Sequence, residues 1–282
     1  MNVIWHYWQR RKNFYPTTAV AFLTTLLFCC RALLTHFNTI PQPQVWGKVI
    51  ILVTSNAPNF KLRQTHRRAY SQDFLLTHFQ AQRIFLVAQH PQHSMISVEN
   101  QENDILWGSF PENYRNLNRK HLMGLAWAAS HCTHPDCVII KMDDDIAVDL
   151  PRLIDQAKAL KPYEIGGWIH SGMRVRRGAL SKWSVSTSEF ANATYPDFVS
   201  GWVYAARRPA VQDLVAQASR SEPFWIDDVW LTGLVRQELE HLKLEPWNHQ
   251  YTPYQEHLRC CLNNSQFQYY CDYIAGPTES DR

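Results

Sequence analysis

The sequence predicts an α/β domain built on a mostly parallel sheet with helices on both faces. Three observations point there. Short β-branched apolar runs alternate with amphipathic stretches of helical period through the first half of the chain. The strand-like runs are continuous, as in strands buried on both sides. The chain shows no internal repeat or low-complexity segment, and its 282 residues, 45% hydrophobic and 19% charged, suffice for one large core.

Taken in order, "KVIILVTSN" from Lys48 is a buried strand ending in turn residues. "KLRQTHRRAY" follows as a basic helix start. "RIFLVAQH" from Arg83 is a second strand, and "DILWGSF" from Asp104 a shorter third. Leu117, Leu122, Leu125, Ala126 and Ala129 recur at helical spacing, so that stretch is an amphipathic helix. "CVIIKMDDD" is a fourth strand. "DLPRLIDQAKALK" opens as a helix, with Asp149 as cap and Pro151 in its first turn. Beyond Lys161 the pattern is mixed. "IGGWIHSGM" is rich in Trp and Gly, "PDFVSGWVYAARRPAVQDLVAQA" is a strand running into a helix, and "IDDVWLTGLVRQELEHL" is a helix with acids at its start. One domain is expected from Gly47 to Arg282.

The N-terminus reads differently. Residues 1–13 form a short tail containing the basic cluster Arg10, Arg11 and Lys12. Residues 14–37 form an apolar segment. Its uninterrupted part, Thr17 to Cys30, spans only about 21 Å as a helix, against the roughly 30 Å of a hydrocarbon core. Arg31 would have to snorkel to the headgroups so that Ala32 to Leu34 complete the crossing. Basic residues ahead of the span keep the tail cytoplasmic. The reading is thus a single-pass, type II signal anchor, with residues 38–46, rich in Pro and Gln, as a short stem. A cleaved signal peptide is the alternative, but no small-x-small site follows Cys30.

Of seven cysteines, Cys29 and Cys30 fall in the anchor. Cys132 and Cys137 flank the turn "THPD" and are placed to close a small loop, and Cys271 to reach Cys260 or Cys261. A zinc site in "HCTHPDC" is a weaker reading, because the cluster is irregular. Asn192 and Asn263 begin glycosylation sequons. Net charge is +3, too small to indicate nucleic acid. No dinucleotide-binding fingerprint or phosphate loop is present.

Three consecutive carboxylates, Asp143, Asp144 and Asp145, end the fourth strand. Ligands of open parallel sheets bind at such ends, and carboxylate oxygens suit Mg²⁺ or Mn²⁺. A calcium loop counted from Asp143 fails, since Val148 stands where Gly is needed and Ile154 where Glu is needed. A solvated acidic turn and a metal site both remain open on these grounds. Asp227 and Asp228 start a helix, where acids complement its dipole; a general base or a hydroxyl acceptor is the functional alternative.

Five segments resemble, in order, those of the β-1,3-galactosyltransferase family of inverting type II membrane glycosyltransferases. They are "LRQTH" (62–66), "DILWGSFPENYRNLNRKHLMGLAW" (104–127), "KMDDDIAVDL" (141–150), "YPDFVSGWVYAARR" (195–208) and "IDDVWLTG" (226–233). The resemblance implies a GT-A, nucleotide-diphospho-sugar transferase fold, a UDP-sugar donor, a Mn²⁺-type cation, a glycan acceptor on protein or lipid, and a lumenal catalytic domain on the Golgi membrane. It implies Asp143 and Asp145 as metal ligands, completed by His257 in preference to His249. Arg63, Lys120, Lys141 and Asp144 are implied near the donor, Asp227 at the substrate and Asp228 as catalytic base. Trp202, Trp225 and Trp230 lie close enough to these segments to stack on sugars. The chain departs from the family where His66 replaces Trp, His121 replaces Thr and Asp227 replaces Glu, and "GWVY" replaces a more Gly-rich form. An inactive lumenal chaperone or binding protein on the same fold is the alternative, which retention of the acids opposes.

Overall fold

The computed structural model describes residues 47–91, 103–178, 181–254 and 273–278. The expected tail, anchor and stem lie outside the described residues, as do His257, Asn263, Cys29, Cys30, Cys260, Cys261 and Cys271.

The sheet is built around β1 (Val49–Thr54), whose six residues are all buried. It pairs in parallel with β2 (Ala81–Gln89) on one side and β4 (Val138–Asp143) on the other. β3 (Ile105–Pro111) adds in parallel to β2. β7 (Phe198–Arg207) runs antiparallel to both β4 and β6 (Glu164–His170), and β8 (Lys243–Pro246) pairs in parallel with β6. The order is β3-β2-β1-β4-β7-β6-β8, so β7 alone among these strands opposes the common direction. Its reversed course brings its start, Phe198 to Trp202, to the end of the sheet where β1 and β4 finish. β5 (Ile146–Val148) and β9 (Ala275–Pro277) form a small antiparallel pair beside it.

The helices follow from local chemistry. α1 (Phe60–Ala69) carries His66, Arg67 and Arg68 in its last turn, where cations meet the negative helix end. α2 (Gln72–Phe79) is capped by Ser71, whose hydroxyl accepts from the Phe74 amide at 3.2 Å. α3 (Leu117–His131) lies so close on the sheet at Gly124 that a Cβ there would stand 2.4 Å from Leu86 Cδ1. α4 (Leu150–Ala159) is capped by Asp149, which accepts from the Arg152 amide at 3.3 Å, with Pro151 in its first turn as the sequence indicates. α5 (Arg208–Ala218) follows β7 directly. The disulfide expected between Cys132 and Cys137 is present.

Three elements differ from expectation. The helix expected from Ile226 winds as a π-helix over Val229–Val235. β6 contains Gly166 and Gly167, residues poor in strand propensity. A Cβ on Gly166 would sit 2.2 Å from Trp247 Cζ2, so the glycine admits the indole. β8 is an exposed edge strand of sequence KLEP without an apolar run.

Candidate active site

Beyond the ends of β1 and β4 a cleft of about 460 Å³ opens, floored by carboxylates and walled by aromatic rings. Thr54 and Asp143 are register neighbours at the two strand ends, and both line it. Asp145, Asp227 and Asp228 join them on the floor. Tyr114, Trp168, Trp183, Trp202 and Trp225 supply walls. Trp202 meets Trp168 edge to face at 5.6 Å. Trp183 donates its indole N–H to Tyr114 Oη at 2.7 Å, which fixes both rings. Trp230 is buried and outside the cleft lining.

Lys141 is the cation beneath the floor. Its ammonium donates to Asp143 Oδ1 at 2.7 Å and to the Gly201 carbonyl. Burial opposes its charge, but Asp143, Asp227 and Asp228 together raise its pKa above the ordinary lysine value. On the other side of its Cα, Gly201 donates its N–H to Asp228 Oδ2 at 3.0 Å. The Val229 amide donates to Asp228 Oδ1 at 2.8 Å. Each Asp228 oxygen therefore holds one backbone amide and keeps lone pairs for a further partner. Burial and the neighbouring charge of Asp227 raise Asp228 to about 6 despite those amides. A carboxylate so placed is poised as a general base near neutral pH.

Asp227 behaves oppositely. Burial would raise its pKa, but the hydrogen bond to His121 and the charge of Lys141 hold it below the usual carboxylate range. His121 Nδ1 lies 2.9 Å from Asp227 Oδ2, and Nε2 lies 2.6 Å from Tyr204 Oη. A carboxylate only accepts, so Nδ1 carries the proton and Nε2 accepts from the tyrosine hydroxyl. Burial lowers the His121 pKa, consistent with that neutral ring. Two adjacent carboxyls thus have their proton affinities pushed apart by surroundings, the arrangement that divides acid and base roles.

Asp143 and Asp145 both line the cleft. Burial pushes Asp143 up to about 7, even against the charge of Lys141, and Asp227 and Asp145 add to the shift. This crowding of hard oxygen donors fits a divalent cation, which would favour the ionised form. Among the described residues no cluster of three His, Cys, Asp or Glu side chains forms a complete cage. Two carboxylates with substrate phosphates completing the shell is how Mg²⁺-like ions are commonly held. His249 is exposed on the turn Asn248–Gln250 and does not line the cleft.

Arg63, Lys120 and Asp144 are placed behind the cleft wall, and all three are buried. Arg63 donates to Ser55 Oγ at 2.8 Å, the Asn56 carbonyl at 2.7 Å and the Ala57 carbonyl at 2.9 Å. Asp144 Oδ2 accepts from Ser55 Oγ at 2.7 Å and Asn59 Nδ2 at 2.9 Å. Lys120 Nζ donates to the Ser55 carbonyl at 2.8 Å and pairs with Glu112. His66, where the resembling segment has Trp, donates from Nε2 to the Asp144 carbonyl at 2.9 Å. These groups shape the loop after β1; none of the four side chains lines the cleft. Conversely, Gly201, His121 and Tyr204 organise the floor although none was expected as a site residue. For Gly201 a signal existed, since a glycine inside a strand pattern marks close approach of another group.

An open, mostly parallel sheet whose strand ends carry a carboxylate floor between aromatic walls places the cleft where ligands of such sheets bind, in agreement with the GT-A-type fold that the family resemblance implies. The galactosyltransferase family profile matches residues 61–245. The chain belongs to that glycosyltransferase family. It is 28% identical over 231 residues to mouse acetylgalactosaminyl-O-glycosyl-glycoprotein beta-1,3-N-acetylglucosaminyltransferase, covering 74% of this chain and 58% of the relative. It is 29% identical over 210 residues to human beta-1,3-galactosyltransferase 2, covering 70% of this chain and 48% of that one. The chain therefore spans about half the length of the curated relatives it matches. A solved galactosyltransferase in complex with donor and acceptor sugar analogs overlaps at a TM-score of 0.41 and 11% identity, over 81% of this chain and 86% of that chain.

Proposed function

We propose that this cleft transfers a hexosyl group, galactose or an N-acetylhexosamine, from a UDP-sugar to a glycan acceptor in β-1,3 linkage with inversion. The observation that carries the reading is Asp228, a buried carboxylate of raised basicity held by two backbone amides on the floor of an aromatic-walled cleft. The names of the relatives support the hexosyl donor and the 1,3 linkage.

In this mechanism Asp228 accepts the proton of the acceptor hydroxyl as that oxygen attacks the anomeric carbon. The bond from that carbon to the diphosphate breaks on the opposite face, and its electron pair leaves with UDP. One displacement inverts the centre, as in inverting glycosidases with a sugar hydroxyl in place of water. A divalent cation such as Mn²⁺, held by Asp143 and Asp145, would supply neutralisation of the diphosphate leaving group. Lys141 keeps Asp143 and the Gly201 peptide in register beneath it. Trp202 and Trp225 offer ring faces to the sugars. Segment 14–37 is proposed to anchor the chain in the Golgi membrane with residues 47–282 in the lumen.

The test is a screen of UDP-galactose, UDP-N-acetylglucosamine and UDP-N-acetylgalactosamine for hydrolysis or transfer, with and without Mn²⁺ and a chelator. Chelator-sensitive turnover of at least one donor is expected. Absence of metal-dependent UDP binding would refute the enzyme reading.

A further inference from the structure

His121 is sealed from solvent, so it cannot touch a substrate, yet both of its ring nitrogens are engaged. It projects from α3 and meets Asp227, a residue 106 positions away in sequence. Behind it Tyr204, also fully buried, closes the chain from β7. Three separate elements therefore converge on one carboxylate. Of the three side chains only Asp227 reaches the cleft, with 15% of its side chain exposed. Its neighbour in sequence is the base, Asp228.

A buried polar trio needs a reason, because an apolar set of similar volume serves a core equally well. Here the chain fixes one oxygen of a carboxylate and thereby aims the other. Resting on the proposed function, we propose that His121, backed by Tyr204, is a positioning residue that clamps Asp227 so that its remaining oxygen accepts a hydroxyl of the sugar being transferred. The arrangement is set by length. The imidazole fills the distance between α3 and the short aspartate. A shorter Thr at 121 and a longer Glu at 227 would together span the same gap, whereas either change alone would open or crowd it.

The experiment is a double-mutant cycle with His121→Thr, Asp227→Glu and their combination, reading UDP affinity by calorimetry and kcat on whichever of the three UDP-sugars turns over. Each single variant is expected to keep the UDP Kd within about twofold and to lose about 10²-fold in kcat, the cost of misplacing a contact group. The double variant is expected to recover most of that loss. Tyr204→Phe, which keeps the buried ring and removes one hydroxyl, is expected to lose about tenfold in kcat and serves if His121→Thr does not fold. Single variants with unchanged kcat, or a double variant no better than the worse single, overturn the assignment while leaving the proposed function standing. Wild-type protein that binds no UDP overturns the proposed function, and this assignment with it.

Discussion

Replacing Arg63 by Met separates two roles for a residue whose segment resembles a donor-binding one. Arg63 is 0% exposed and lies behind the loop 55–57. The substitution keeps an unbranched apolar stem and deletes the guanidinium. It removes hydrogen bonds to Ser55 Oγ, the Asn56 carbonyl and the Ala57 carbonyl, and it strips support from the Ser55–Asp144 contact. Hydrogen bonds from a charged donor contribute about 1.5–3 kcal/mol each. They are not additive, and breaking a buried charge network by removing one member costs about 3–5 kcal/mol. For a domain of this size each kcal/mol lowers Tm by roughly 2–4 °C, so a fall of about 10 °C is expected. The assay is thermal unfolding paired with UDP titration well below the new midpoint. The expected outcome is a large Tm loss with UDP affinity changed by no more than about threefold. An unchanged Tm with abolished UDP binding would refute the bracing role and return Arg63 to the donor site.

Other consequences follow from the same geometry. Asp143 and Asp228 are raised, chiefly by burial, to about 7 and about 6. A carboxyl raised in the folded state contributes stability while protonated, and that contribution is lost as pH rises through the folded value. The metal-free domain should therefore lose stability between about pH 4, the unfolded carboxylate value, and about pH 7, the folded value of Asp143, and Mn²⁺ should raise Tm more at about pH 7.5 than at about pH 5; equal Mn²⁺ effects at both would contradict this. For the same reason kcat/KM should fall below about pH 6 as Asp228 is protonated, which a pH–rate profile checks. Replacing Cys132 and Cys137 together by Ser opens a loop of sequence separation 5. A loss of about 2 kcal/mol is expected from chain entropy, measured by denaturant unfolding under oxidising conditions. Trp202→Ala removes a cleft wall, its edge-to-face contact with Trp168 and its packing against the core, and should raise KM for the sugar substrates about tenfold together with a lower Tm.

Much of the fold was legible because β1, β2 and β4 are continuous apolar runs and Asp149 with Pro151 marks a helix start. β6 and β8 were not, because a glycine pair, of which Gly166 admits Trp247, and a polar edge carry no strand pattern. The π-helix after Asp228 was not legible either, since its period differs little from an α-helix over so short a span. At the site, position left Asp143 and Asp145 open between a solvated turn and a metal site, and Asp227 and Asp228 open between helix-dipole acids and catalytic groups; the family resemblance singled them out, and the structure brings these four to one cleft. The division between cleft floor and loop brace was not. Asp144 stands between two cleft-lining aspartates, yet its side chain turns to Ser55 and Asn59. Nothing in one dimension distinguishes neighbours whose side chains part in this way. His121 was visible as a departure, but its partner is 106 residues distant, and only the packing of α3 against the π-helix joins them.

Asp228→Asn tests the central claim most directly, because it changes one oxygen to an amide nitrogen and removes the base. Wild-type and variant protein are compared for UDP binding in Mn²⁺ and for single-turnover transfer from the donor found in the screen. The variant should bind UDP within about threefold of wild type and lose about 10²–10⁴-fold in transfer rate. Transfer near the wild-type rate would contradict the assignment of Asp228 as the group that takes the acceptor's proton.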